Sequence, residues 1–140
     1  MRFIYASSAA TYGDGSSGYS DKSVDFLVPM NPYGFSKHLF DMFIINNKLD
    51  QYACGLKFFN VFGPNEYHKK DMRSMVIKSV EQIKEKGYIN LFKSTHPDYP
   101  DGGQMRDFIY VKDCCRIMMK VLADRNWNGI YNIGTGKPRT

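Results

Sequence analysis

The stretch Asn31-Pro32-Tyr33-Gly34-Phe35-Ser36-Lys37 carries the marks of a helix start and stands between two short apolar runs. Asn caps a helix N-terminus well, and Pro suits the first helical position, where its missing N–H would have had no partner. Leu39, Phe40, Phe43 and Ile44 follow at helical spacing, which predicts a buried stripe on a helix reaching about Leu49. The flanking runs, Arg2 to Ala6 ending in Ser7-Ser8 and Cys54 to Phe62 broken by Gly63-Pro64, read as strands. A strand, a helix and a strand from Phe3 to Phe62 form a βαβ unit, which makes a parallel sheet with a right-handed crossover.

Downstream the alternation continues. Gly13 to Met30 lacks periodicity and predicts a surface loop. Asp71 to Lys86 places Met72, Met75, Val76, Val80 and Ile83 on one helical face, with Gly87 as its stop. Tyr88 to Phe92 predicts a short strand, and Lys93 to Met105, with His96-Pro97-Asp98-Tyr99-Pro100, a polar loop over a cleft. Arg106 is expected to start the next strand, Val111 to Asp124 a helix with Cys115, Met118, Met119 and Leu122 inward, and Gly129 to Ile133 a last strand. Gly134-Thr135-Gly136 is a turn rather than a dinucleotide fingerprint, since no third glycine or helix follows.

Composition narrows the function classes. A chain of 140 residues, 43% hydrophobic and 15% aromatic, can bury a core. No apolar run approaches the roughly 20 residues of a membrane span, and Met1 to Ala6 is too short for a signal peptide, so a cytoplasmic protein is expected. The net charge of +5 is scattered, and His68-Lys69-Lys70 is too short for a nucleic-acid stripe; an anionic small molecule suits it better. Cys54, Cys114 and Cys115 show no metal-ligand spacing and read as buried thiols in a reducing compartment, with no metal expected.

Tyr33 and Lys37 are one helical turn apart, so a phenol and an ammonium share a face. A neighbouring cation favours the phenolate, which can then exchange a proton with a substrate hydroxyl. Alone this spacing is weak, because most such pairs are surface contacts. Where the first strand meets its loop, Ser8 can donate to a substrate oxygen, or Ser7 and Ser8 simply satisfy backbone groups. Asn60 can contact a ligand or form a turn, and Arg106 offers a fork suited to a diphosphate.

Taken in order, Ser7-Ser8-Ala9-Ala10-Thr11-Tyr12-Gly13, Tyr33 to Lys37, Phe59-Asn60-Val61-Phe62-Gly63-Pro64, Glu66-Tyr67-His68-Lys69, Arg106 to Asp113 and Asn132 to Gly136 resemble the extended short-chain dehydrogenase/reductase family, and within it the heptose-epimerase branch. The resemblance runs from Phe3 to Gly136. It implies an α/β fold, a partial doubly wound parallel sheet of Rossmann type with part of a smaller substrate-binding subdomain. Residues 1–62 would be the later part of the dinucleotide-binding sheet and residues 63–140 mainly the sugar-nucleotide portion. The glycine-rich phosphate loop with which the family begins does not occur in the sequence, so the chain resembles the middle and later part of a longer enzyme.

The implied reaction is epimerisation at C6 of an ADP-heptose or related nucleotide sugar through a transient ketone, with NADP, or alternatively NAD, as cofactor. Tyr33 and Lys69 would be two acid/bases, Ser8 the hydrogen-bonding partner, and Lys37 the group that favours the phenolate and binds the nicotinamide ribose. Val61 would lie near the nicotinamide. Ser8, Asn60, Asp71, Lys78, Phe92, Lys93, Ser94, Thr95 and Arg106 would contact the substrate. No nucleic acid or membrane partner is implied, and the parent enzyme would be a homo-oligomer. Two other readings share many of these residues: another nucleotide-sugar epimerase or dehydratase, which would not need Lys69, and a sugar-nucleotide-binding module without catalysis.

Overall fold

The computed structural model describes residues 3–95 and 97–140, so expectations resting on Met1, Arg2 and His96 fall outside it. The chain divides into two compact units, Met1–Phe59 with Cys114–Ile133, and Asn60–Asp113 with Gly134–Thr140. The fold is mixed α/β with parallel strands.

In the first unit, β1 (Phe3–Ser8), β2 (Ala53–Phe58) and β5 (Gly129–Ile133) form one parallel sheet in the order β1-β2-β5. Ser8 lies opposite Phe58, and Phe58 opposite Ile133. The central strand is buried from Ala53 through Lys57, as a parallel strand covered on both faces should be. The connection from β1 to β2 runs through α1 (Pro32–Asn46), which Asn31 caps by accepting the Gly34 N–H on its Oδ1 at 2.7 Å. The helix ends three residues before Leu49, at Asn46.

The buried side of α1 differs from the expected stripe. Gly34, His38, Asp41 and Ile44 face inward, whereas Leu39, Phe40 and Phe43 are exposed. The reason lies in β2. Lys57 is fully buried on that strand, and its Nζ sits 2.6 Å from Oδ2 of the equally buried Asp41. The carboxylate also accepts from the Tyr5 hydroxyl at 3.0 Å on Oδ1 and from Ser7 Oγ at 2.7 Å on Oδ2. A buried charge must be paired, and the helix presents its acid to the sheet to do so. Burial pushes the Lys57 ammonium's pKa down, an effect its bond to Asp41 opposes.

Residues 13–31 form no regular element, as expected, yet they are not all at the surface. Val24 and Leu27 are buried with Tyr12, and Asp21 accepts the Asn132 N–H at 2.8 Å. In α3 (Val111–Ala123) the buried residues are Cys114 and Val121, while Cys115, Met118, Met119 and Leu122 are exposed. Choosing Cys115 instead of Cys114 turns the face by about 100°, one residue of helix. None of the three cysteines is in a disulfide; Cys54 and Cys114 are buried thiols and Cys115 an exposed one.

In the second unit the expected strand 54–62 proves to be two. The ladder of β2 stops at Phe58, and β3 (Asn60–Phe62) pairs in parallel with β4 (Phe108–Tyr110) in a separate sheet. Arg106 forms an isolated antiparallel bridge with Arg139 rather than starting the strand. Tyr67–Met72 is a 3-10 stretch kinked at Lys70, and α2 (Met75–Lys86) follows, with Ser74 as cap and Gly87 closing it through an N–H bond to the Ile83 carbonyl. The stripe expected along this helix is not core: no residue of α2 is fully buried, and Met72, before it, is exposed. Residues 88–92 form no strand. Their backbone bonds instead to Gln82, whose Oε1 accepts the Asn90 N–H, and to Gly102, which donates to the Phe92 carbonyl. Among the described residues no helix is long and apolar enough to cross a membrane.

Asp41→Leu should destabilise the protein by about 3–5 kcal/mol, because it strands a buried ammonium. Joining it to Lys57→Met should restore most of that loss, as read from denaturant midpoints; equal losses for the single and double variants would show that the pair does not set the side of α1 that is buried.

Candidate functional site

β1 delivers Ser8 to the carboxyl end of the three-stranded sheet, where open α/β sheets take their ligands. Ser8 is buried, and its Oγ accepts the Ala10 N–H at 3.1 Å, capping a 3-10 turn over Ala9–Tyr12. The side chain thus does the backbone duty of a strand-end serine and keeps a hydroxyl proton to donate. The start of α1 packs against the same turn: a Cβ at Gly34 would lie 2.6 Å from the Ala10 carbonyl oxygen. Only glycine permits that approach, and it sets the position of Tyr33 beside it.

The Tyr33 ring is exposed, and Lys37 Nζ stands 5.8 Å from its centroid. The same ammonium donates to the Ala6 carbonyl at 3.0 Å. The structure therefore gathers Ser8, Tyr33 and Lys37 at one end of β1. An ammonium has three donors, and one is used at Ala6; the others, with the Tyr33 hydroxyl, suit the vicinal hydroxyls of a nicotinamide nucleotide's ribose.

In the second unit a cavity of about 330 Å³ is lined by Asn60, Val61, Lys69, Arg73 and Arg106, with Glu66 and Ser74 among its other walls. Lys69 is exposed within the 3-10 stretch, and its N–H donates to the Glu66 carbonyl at 2.9 Å. Asn60 donates both its N–H and its Nδ2 to the Asp107 carbonyl, at 3.0 and 3.2 Å. Arg106 donates from Nη1 to the Met105 carbonyl at 2.8 Å. Asp71 and Lys78 do not line this cavity; Lys78 Nζ caps the Asp71 carbonyl instead. Phe92, Lys93, Ser94 and Thr95 lie outside the lining too, in a loop closed on itself where the Ser94 N–H donates to Asp101 Oδ1 at 2.6 Å.

Two buried carboxylates hold this unit's loops, and neither was assigned a role from sequence. Glu66 accepts the Gly63 N–H at 2.9 Å and the Ser74 hydroxyl at 2.9 Å on Oε1, and the Ser74 N–H at 2.7 Å on Oε2. It thereby ties the end of β3 to the start of α2 across the segment that carries Lys69. Asp107 accepts the N–H groups of Thr135 and Gly136, the latter at 2.8 Å, and the Thr135 hydroxyl. Burial opposes the ionisation of both acids, but these bonds outweigh it and hold each carboxyl below the usual carboxylate range. Arg73, also unassigned, donates from Nε to the Lys70 carbonyl at 2.7 Å and pairs with Glu81. The sequence offered a signal for two of these residues: Glu66 stands two residues after Pro64 of the Gly-Pro break, and Asp107 directly before the apolar run Phe108 to Val111.

The chain matches the profile of the NAD dependent epimerase/dehydratase family over residues 1–134, and it belongs to that family. Among its relatives, the ADP-L-glycero-D-manno-heptose-6-epimerase of Nitratidesulfovibrio vulgaris (strain DP4) is 58% identical over 99% of this chain. The enzyme of the same name from Fusobacterium nucleatum subsp. nucleatum is 51% identical over 100% of it. In each case the chain spans 44% of the relative's length. A crystal structure of the Helicobacter pylori ADP-L-glycero-D-manno-heptose-6-epimerase superposes with a TM-score of 0.79 at 32% identity, covering 99% of this chain and 41% of that one. UDP-glucose 4-epimerase of Thermus thermophilus, solved with NAD, gives 0.71 at 26% identity, over 99% and 44% of the two chains.

Gly34→Ala should push α1 away from the turn after Ser8 and cost roughly 1–3 kcal/mol, the scale of overpacking; a denaturant midpoint equal to wild type would show that the close approach is not needed. Acid should also loosen the turn at residues 134–136. Because the folded pKa of Asp107 is depressed, its contribution is complete above the unfolded value near about 4 and is lost as pH falls through the folded one. Amide exchange at Thr135 and Gly136, corrected for intrinsic rates, should gain relative to wild type at neutral pH in Asp107→Asn, and the stability loss between about pH 5 and about 2 should shrink in that variant.

Proposed function

We propose that the full-length protein containing this chain is an ADP-L-glycero-D-manno-heptose 6-epimerase that uses NADP and inverts C6 of the heptose through a ketone. The observation that carries this reading is Lys69 in the wall of a cavity with Asn60 and Arg106, within a chain 58% identical to an enzyme of that name. Another nucleotide-sugar epimerase or dehydratase of the same family would not need a lysine there.

When bound, the nicotinamide supplies the acceptor and donor of hydride. Tyr33 takes the proton of the heptose C6 hydroxyl, with the ammonium of Lys37 standing 5.8 Å from its ring centroid. Ser8 donates its free hydroxyl proton to the same oxygen and so stabilises charge as it develops there. Lys37 also holds the ribose. Inversion through a flat ketone needs proton transfer for each stereoisomer, and Lys69 serves as the second acid/base. Arg106 binds the diphosphate with a fork of donors, and Asn60 orients the sugar; Val61 would lie near the nicotinamide when that group is bound. Asp71, Lys78 and the Phe92–Thr95 segment contact the nucleotide sugar in the full-length protein. Residues 1–62 belong to the cofactor half of this division of labour and residues 63–140 mainly to the sugar-nucleotide half.

In a full-length form carrying the flanking segments of the curated relatives, Tyr33→Phe and Lys69→Ala should each lower epimerisation by on the order of 10²-fold or more, the scale of losing a general acid/base. Each should still catalyse the half-reaction served by the other residue, read as dismutation of a 6-aldehyde hexose analogue. Full epimerase activity in Lys69→Ala would reject the two-base scheme in favour of a family member that relies on Tyr33 alone.

A further inference from the structure

The fully buried Lys57 does more than pair with Asp41. Its Nζ donates to Thr11 Oγ1 at 2.7 Å as well as to Asp41 Oδ2, and it lies 5.3 Å from the centroid of the Tyr12 ring. An ammonium has no lone pair, so Thr11 Oγ1 can only accept from it. That fixes the direction of the next bond: the Thr11 hydroxyl donates to the Ser8 carbonyl at 2.8 Å. Ser8 is held a second time from inside the same turn, where the Ala10 N–H fixes its Oγ. Donated bonds therefore run outward from Lys57 on the central strand, to Asp41 on the helix that carries Tyr33 and Lys37 and through Thr11 to the Ser8 carbonyl, in the same turn where the Ala10 N–H holds Ser8 Oγ. Asp41, Lys57, Thr11 and Ser8 are all buried, with Thr11, Asp41 and Lys57 at 0% exposure, so water does not compete for these bonds.

We propose that the Asp41–Lys57 pair, acting through Thr11, sets the direction of the Ser8 hydroxyl, so that Asp41, Lys57 and Thr11 are positioning residues for that hydroxyl. The catalytic consequence rests on the role given to Ser8 above; the orientation itself does not. Thr11 is the member to change, because Thr11→Val keeps the shape, breaks the chain at one hydroxyl and leaves the ion pair in place. Tyr5→Phe is the control, since it removes a bond to the other oxygen of Asp41 and leaves the branch towards Ser8 intact.

The test uses the full-length form with two measurements. Amide exchange at Ala10 reports its bond to Ser8 Oγ without reference to activity. It should speed up on the order of 10-fold in Thr11→Val and stay as in wild type in Tyr5→Phe. Turnover should fall between about 10- and 100-fold in Thr11→Val with little change in KM, the scale on which small misplacement acts. In a Ser8→Ala background the same substitution should cost nothing more, because there is then no hydroxyl to aim. Unchanged protection at Ala10 in Thr11→Val would overturn the inference, and so would a turnover loss of equal size in both backgrounds, which marks a merely structural role. Faster exchange at Ala10 with full activity in Ser8→Ala would support the orientation and overturn the catalytic role of Ser8 instead.

Discussion

The ion pair between Lys57 and Asp41 is the interaction on which the first unit depends. A lysine in the central strand of a parallel sheet is costly unless its charge is matched, and the element that brings a carboxylate to it is the helix lying over that strand. Meeting that requirement fixes the rotation of α1 about its axis. The rotation in turn places Gly34 against the turn after Ser8 and lets Lys37 reach the Ala6 carbonyl. The polar core and the candidate catalytic residues are thus consequences of one electrostatic constraint. Tyr5 and Ser7 complete it by filling the remaining acceptor sites of the carboxylate.

The second unit solves a different problem with the same chemistry. It has a sheet of only two short strands and a helix with no fully buried residue, so little apolar burial is available to hold its loops. Buried carboxylates take that part. Glu66 gathers the backbone on both sides of the Lys69 segment, and Asp107 gathers the turn at Thr135 and Gly136 while its carbonyl holds Asn60. An acid accepting several N–H bonds is rigid in a way that a few apolar contacts on a two-stranded sheet are not. The Lys69 segment and Asn60, both proposed to meet the sugar nucleotide, are hung from these two points.

The apolar surface that remains is extensive. Leu39, Phe40 and Phe43 on α1 and Met118, Met119 and Leu122 on α3 are exposed, and the chain spans 44% of the length of the curated relatives it matches. Helical periodicity marks such faces as apolar but says nothing of what covers them. In α1 the pattern is also ambiguous, because apolar residues surround most of the helix and the side turned to the sheet holds His38 and Asp41. Burial pushes the His38 pKa down, as Lys57 nearby does, in keeping with a dry polar core.

Local chemistry in the sequence determined a good deal by itself. The Asn-Pro start of α1, the glycine stop of α2, the strand ending in Ser7-Ser8 and the last strand at residues 129–133 each follow from a preference of a few adjacent residues, and they stand in the structure. The ordered motifs identified the family because they sample sites far apart in the chain. Tertiary structure alone decided which face of each helix is buried, that the run from Cys54 to Phe62 divides at Phe59 between two sheets, and that residues 88–92 form no strand. It alone decided that Asp41, Lys57, Thr11 and Ser8 form one chain of bonds. The physical reason is that a buried polar group is defined by its partner, and these partners lie as far as 46 residues apart. No local pattern encodes such a pairing; it exists once packing has removed the water that would otherwise satisfy each group separately.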